Sequence, residues 1–327
     1  MSKKTVVFFI VFNMILSLLS APLVIFYGPY ESLRLFTVGT IVTSRHPQIA
    51  QFFLPQTKID EIAQSYGQKT MSVEPVIMNK GNVVIDQKNC LQIEEIQGKY
   101  FKGKVMLVRD PHQVQVAATR ELGTAGQRLS QIVSENGAIA GINAGGFYDP
   151  NAQGNGAYPD GITVVNHQVI HNRSGNDPVD LIAFDSQGKL VLEKMNISEV
   201  VSRNIQNAVS FYPNLVVEGK PQINGDGGWG LAPRTGVGQK ADGTVIFVVI
   251  DGRQPGRSMG ATLRDLMNVF IEYGAVNAAN LDGGSSTEMV YNGQIVNRLW
   301  NLFGERYIPT AFIVIPSKAA ELNLEKY

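Results

Sequence analysis

The sequence predicts a mixed α/β (α+β) fold, a mixed β-sheet with a few packing helices, carried behind one N-terminal transmembrane helix. Three observations predict it. Thr5 to about Tyr27 is a charge-free apolar stretch, broken only by Asn13, Ser17, Ser20 and Pro22. From about residue 80 the chain turns into short β-branched runs separated by turn signals. Two patterns of helical period interrupt those runs.

The apolar stretch is roughly 20 residues long, enough to cross a bilayer. Lys3 and Lys4 flank it on the N-terminal side, which places the bulk of the chain outside the cytoplasm. A cleaved signal peptide is the competing reading, with Ser17 to Ala21 supplying small residues. The expected division is an anchor or signal over residues 1–28, a juxtamembrane spacer over 29–79 and one large domain over 80–318. The spacer holds Pro29, Pro47 and Pro55 and a short helical pattern at 58–65 closed by Gly67.

With 327 residues, 44% of them hydrophobic, the chain can bury a sizeable core. Its formal net charge of zero argues against a nucleic-acid partner and leaves any attraction for anions to local arginines. The single cysteine, Cys90, excludes an intramolecular disulfide framework and a cysteine zinc site. His46, His112, His167 and His171 lack ligand spacing, so neither a metal nor another cofactor is expected. Oligomeric state is open.

Strands are expected at 83–85, 104–108, 113–117, 162–165, 181–184 and 190–192. A first helix is expected from Thr124, with Gln127 completing a capping box, to a stop at Gly137. A second is expected from Thr262 to Gly274, with Leu263, Leu266, Met267, Phe270 and Ile271 on one face. Apolar runs at 244–250 and 276–281 flank this helix and end in Asp251 and Asp282. Strand, helix, strand reads as a crossover joining parallel strands, which brings both aspartates to the C-terminal sheet edge where such sheets place ligands. Asn292-Gly293 then marks a hairpin over 289–296, and His167 falls in another turn.

Four segments, 141–149, 232–238, 251–253 and 280–287, concentrate glycine with polar residues just after apolar runs. Five stretches in and around them carry a recognisable pattern. Ile142-Asn-Ala-Gly-Gly-Phe147, Ala232-Pro-Arg-Thr235, Val249-Ile-Asp-Gly-Arg253, Thr262-Leu263 and Asn280-Leu-Asp-Gly-Gly-Ser-Ser286 appear in that order. Together they resemble the phosphodiester glycosidase family over about residues 135–316. Departures are Ala144 inside the usual Asn-Gly-Gly, Gly236 where alanine is common, and a final glycine run one residue short.

The resemblance implies an extracytoplasmic glycosidase that hydrolyses a sugar-1-phosphodiester of the N-acetylglucosamine-1-phosphodiester type in a surface or secreted glycan. Such cleavage passes through an oxocarbenium-like state that carboxylates stabilise, a task for Asp251 and Asp282. The departing phosphate calls for positive charge, with Arg234 as first candidate and Arg253 and Arg257 behind it. Gly283, Gly284, Ser285 and Ser286 offer an anion nest. Asn143, Gly145, Gly146, Asp160 and Thr235 complete the expected substrate contacts, and Trp229 could stack on a sugar ring. Asp149, Asn151, Gln153 and Asp160 approximate a calcium loop but depart at the fifth and twelfth positions, so a substrate-lining loop is the preferred reading. A non-catalytic module binding an anionic cell-wall or exopolysaccharide polymer, and a phosphodiesterase attacking phosphorus, are the alternatives.

Overall fold

The computed structural model describes residues 3–30, 34, 37–38, 41, 48–61, 78–150, 154–301 and 304–317. The chain falls into two compact units, Met1–Val73 with Gly228–Gly230, and Glu74–Gly227 with Leu231–Tyr327. In the first, helix α1 (Lys3–Tyr27) is long and apolar enough to cross a membrane, and its apolar stretch is not buried. Behind it, Phe26, Val38, Ala50, Leu54 and Ile59 form a small core, and Phe26 stacks on Phe53 of α2 (Gln48–Phe53) at 4.5 Å. The helical pattern expected at 58–65 is helical through residue 61; its remainder and Gly67 lie outside the described residues.

The second unit is built from three sheets whose paired strands are all antiparallel. The largest runs, in spatial order, β1 (Asn79–Asp86), β2 (Leu91–Gln97), β3 (Lys102–Val108), β14 (Val245–Ile250), β13 (Arg234–Lys240), β15 (Ala275–Leu281), β11 (Asn214–Val217), β12 (Lys220–Pro221). A second orders β7 (Gln168–Asn172), β6 (Ile162–Val165), β10 (Asn207–Ser210), β8 (Val179–Phe184), β9 (Leu190–Met195). The third orders β17 (Gln294–Ile295), β16 (Met289–Tyr291), β5 (Ala140–Asn143), β18 (Thr310–Val314), β4 (Val114–Ala118). Every expected strand is present. Their inner faces meet in one core, where Phe247 of the first sheet and Phe184 of the second close on Phe312 of the third at 6.1 and 5.8 Å. Three short helices cover the outer faces: α3 (Leu129–Glu135) on the third sheet, α4 (Ile197–Ser202) by the second, and α5 (Leu263–Glu272) on the first.

β14 is apolar at all six positions because both its faces are covered, by the common core and by α5. α5 begins where expected: Asp265 N–H donates to Thr262 Oγ1 at 3.0 Å and Thr262 N–H to Asp265 Oδ2 at 2.9 Å, a reciprocal cap. Its buried face uses Val269 rather than Ile271, which is 41% exposed. The Phe270 ring lies where side chains on β13 would point, 2.8 Å from a Cβ built on Gly236 and 2.7 Å from one on Gly238. The glycine that replaces alanine at 236 thus makes room for that ring.

Two expectations need correction. α3 starts at Leu129, not at Thr124, because Gln127 is committed elsewhere. Its backbone bridges to Ile308, its amide oxygen accepts from Arg120 N–H at 2.7 Å, and Gln131 instead accepts from Arg128 N–H at 3.1 Å. The crossover around α5 does join parallel strands, yet β14 and β15 are not neighbours. β13 lies between them, antiparallel to both. The hairpin turns are as expected: Asn292 and Gly293 have φ of 48° and 73°, and Asn166 and His167 of 48° and 65°, the doubly left-handed pair a two-residue hairpin requires.

Candidate active site

The strand inserted between β14 and β15 determines what the sheet edge presents. Arg234 pairs with Ile250 and Thr235 with Leu281, so Arg234 emerges between two strand ends whose next residues are Asp251 and Asp282. Two strand spacings separate the aspartate backbones by roughly 10 Å, with the arginine strand between them. Arg234 is 4% exposed and aims Nε at Ala261 O, 3.0 Å away, just before the N-cap of α5.

The glycines around this edge are packing glycines. A Cβ on Gly252 would sit 2.5 Å from Pro233 N, and one on Gly283 2.8 Å from Pro233 O, so the two turns close on the start of β13 from either side. Gly284 N–H donates to Pro233 O at 2.9 Å, Ser286 N–H to Gly283 O and Thr287 N–H to Gly284 O. Two backbone donors of the expected anion nest, those of Gly284 and Ser286, are therefore used within the chain. Gly145 and Gly146 are likewise wedged, against Ser210 O and the Phe211 ring.

Asn143 and Thr235 are buried and act on the protein itself. Asn143 Nδ2 donates to Asp282 O at 2.5 Å, while its Oδ1 accepts from Thr235 Oγ1 at 2.8 Å and from Glu288 N–H at 3.1 Å. This bracket ties β5 and β13 to both ends of the loop that follows Asp282. Asp160 is exposed and its N–H donates to Gly146 O at 2.9 Å.

The two aspartates differ in surroundings. Asp251 is 3% exposed and ringed: Arg257 Nη1 donates to Oδ2 at 2.5 Å, and Oδ1 accepts from Arg298 N–H at 3.0 Å and Asn297 Nδ2 at 3.3 Å. Asp282 is half-buried at the head of its loop. Two guanidinium groups flank that loop. Arg253, whose backbone has a φ of 55°, lies over the Trp300 ring at 5.0 Å and comes within 3.6 Å of a Cβ built on Gly284. A non-glycine residue held in the left-handed region is a form of strain that clusters at functional sites.

Arg306 is the second guanidinium, and the sequence reading missed it. It donates through Nη1 to Ser285 Oγ at 2.8 Å and through Nη2 to Asp149 Oδ2, and it lies over the Phe147 ring at 5.0 Å. Burial lowers its pKa, and the charge of Asp282 opposes that shift. An arginine just ahead of the last apolar run was the only local signal. Asp149 is thus engaged by Arg306 and by Gly154 N–H at 2.6 Å. Asn151 and Gln153 of the same loop lie outside the described residues. Among the described residues no group of three or more metal-ligating side chains converges.

Beneath the loop, Glu288 is 3% exposed and faces Glu305, whose carboxylate accepts from Ser130 N–H at 2.8 Å and Ser130 Oγ at 2.7 Å. Burial, then the Glu305 charge, pushes the Glu288 pKa up to about 9 against a smaller opposing effect of Arg128. Glu288 is therefore a neutral acid at pH 7.

Known proteins share this architecture. The catalytic domain of zebrafish N-acetylglucosamine-1-phosphodiester alpha-N-acetylglucosaminidase, in a form auto-inhibited by its pro-peptide, superposes with a TM-score of 0.57 at 17% identity, covering 76% of this chain and 85% of that one. A putative exported protein of Burkholderia pseudomallei K96243 gives 0.52 at 18% identity over 66% of this chain and 74% of its own. A hypothetical protein from Synechocystis gives 0.56 at 16% identity over 75% and 64%. At these identities the likeness is one of fold. In sequence, an uncharacterised SPbeta prophage-derived protein of Bacillus subtilis (strain 168) is 31% identical over 121 residues, 36% of this chain and 19% of that relative's length. The family model for phosphodiester glycosidase matches residues 136–315, more than half of the chain and the stretch that carries Asn143, Arg234, Asp251, Asp282 and Arg306. The chain belongs to the phosphodiester glycosidase family.

Proposed function

We propose that this chain hydrolyses the bond between the anomeric carbon and the phosphate of a sugar-1-phosphodiester, in a surface or secreted glycan outside the cytoplasm. The observation that carries the reading is the Asp282 loop, held from below by Asn143 and flanked by Arg253 and Arg306, next to Arg234 at the same sheet edge. A carboxylate among guanidinium groups suits a reaction whose leaving group is an anion. Water oxygen bonds to the anomeric carbon as the bond from that carbon to the phosphate oxygen breaks. The bonding pair leaves with the phosphate monoester, which Arg234 and Arg253 stabilise. Asp282 takes the proton of the water. Asp251 works through Arg257, whose guanidinium it holds beside the edge.

Hydrolysis in oxygen-18 water with mass spectrometry of both products tests the bond that breaks. Label is expected on the sugar; label on the phosphate refutes glycosidic cleavage and favours attack at phosphorus. The absence of any turnover on a panel of sugar-1-phosphodiesters leaves the binding-module alternative.

Location outside the cytoplasm rests on Lys3, Lys4 and α1, which fits either an anchor or a signal sequence. Protease added to intact cells is expected to digest the domain beyond residue 79 and leave the cytoplasmic proteins whole. Complete protection of that domain sinks the proposed orientation.

A further inference from the structure

A polar cleft of about 260 Å³ opens on the far side of Asp251 from Arg234, along the same sheet edge. Its place follows from register: Gly103 at the start of β3 pairs with Ile250, and Lys102 pairs with Gln97 at the end of β2. The edge therefore reads Asp282, Arg234, Asp251, Lys102 across four adjacent strands, which puts Lys102 about three strand spacings, roughly 14 Å, from Asp282. That is the reach of one sugar unit beyond a phosphate.

Three of the cleft's four cations already face a carboxylate. Lys104 Nζ meets Glu95 at 2.6 Å, Arg257 meets Asp251 at 2.5 Å, and Lys80 Nζ lies 4.0 Å from Glu94 and over the Tyr273 ring at 4.3 Å. Lys102 is exposed and feels Glu95 only at longer range, so its charge is the surplus. Asn79 and Gln97 add exposed polar side chains to the lining. Asn297 joins the cleft to the reaction centre: its Nδ2 donates to Asp251 Oδ1 at 3.3 Å and to Thr287 O, in the Asp282 loop, at 3.2 Å.

We propose that this cleft is a second binding site, for an anionic sugar unit on the phosphate side of the scissile bond, with Lys102 taking its negative group and the amides its hydroxyls. The proposal rests on the glycan reading above and adds a requirement to it, a second negative charge in the substrate. Amide side chains suit hydroxyls, which offer both a donor and an acceptor, and a single unneutralised ammonium suits one phosphate or carboxylate. The cleft is too polar to favour an apolar aglycone.

Calorimetry on the full chain in detergent micelles, with a disaccharide phosphate monoester and its dephosphorylated form as probes, tests this. The phosphorylated probe is expected to bind roughly fivefold more tightly at low salt, the scale of one partly exposed ion contact. Lys102→Glu is expected to abolish the difference. Lys220→Glu, the same charge change on β12 at the opposite margin of the sheet, is expected to preserve it. Equal affinities for the two probes, or a preference that Lys102→Glu leaves intact, overturns the proposal, the second outcome placing the anion at Arg234 instead. Turnover of a sugar-1-phosphodiester measured in parallel separates the two readings. Hydrolysis without a Lys102-dependent preference defeats the cleft alone, and a Lys102-dependent preference without hydrolysis defeats the enzyme reading alone.

Discussion

Asp282→Asn is expected to lower kcat by on the order of a hundredfold or more while the melting temperature stays within a few degrees of the parent. The variant keeps the shape of the side chain and every backbone bond of the loop, because the bracket to Asn143 uses the carbonyl of Asp282 and not its carboxylate. It removes the group that can accept the proton of the attacking water, together with the negative charge that favours the Arg306 guanidinium. Asp251→Asn is expected to behave differently. Arg257 would lose its carboxylate partner, and Asn Nδ2 would face the N–H groups that Asp251 now accepts. Breaking such a pair costs about 1–3 kcal/mol here, less than for a fully buried pair because Arg257 is about a third exposed. Calorimetric melting alongside kcat for both variants decides the assignment. Near-normal turnover in Asp282→Asn removes it from the mechanism. A parent-like melting temperature with lost turnover in Asp251→Asn would make Asp251 the chemical residue.

The contrast between these aspartates was invisible in the sequence, where both end an apolar run and precede glycine. What the sequence exposed was local. The Thr262 cap, the Asn292-Gly293 turn and the runs ending in Asp251 and Asp282 depend on residues within a few positions of one another. The insertion of β13 between two strands that are close in sequence depends on a pairing partner from outside that stretch. Arg306 is recognisable only once Ser285 and Asp149, 21 and 157 residues away, are beside it. The glycines misled for a related reason. Gly283 belongs to a segment that reads as an anion nest, yet what demands it, and Gly252 across from it, is Pro233, brought between them by the same strand insertion. Motifs located the edge; which of its groups the fold uses as anchors was decided by long-range packing.

The pair beneath the loop gives the largest expected effect on stability. Glu288 ionises near 4.5 when solvated and near 9 in the fold. Below the lower value both folded and unfolded chains are protonated and no penalty arises. As pH rises past it the unfolded chain releases the proton and the folded chain holds it, so stability falls by about 1.4 kcal/mol per pH unit until the folded group also ionises. By pH 7 the accumulated loss is on the order of 3 kcal/mol. Glu288→Gln retains a donor toward Glu305 and has no proton to release. Its melting temperature is expected to match the parent near pH 4.5 and to exceed it by a margin that widens through pH 7 to pH 9. Parallel pH profiles for the two chains would show that Glu288 is ionised in the fold. Ionisation of Glu288 within the fold, at about pH 9, would also bear on function: Glu288 N–H anchors Asn143, and Glu305 adjoins Arg306. A second negative charge arising there would therefore loosen both supports of the Asp282 loop at once, and turnover should fall over the same alkaline range in the parent but not in Glu288→Gln.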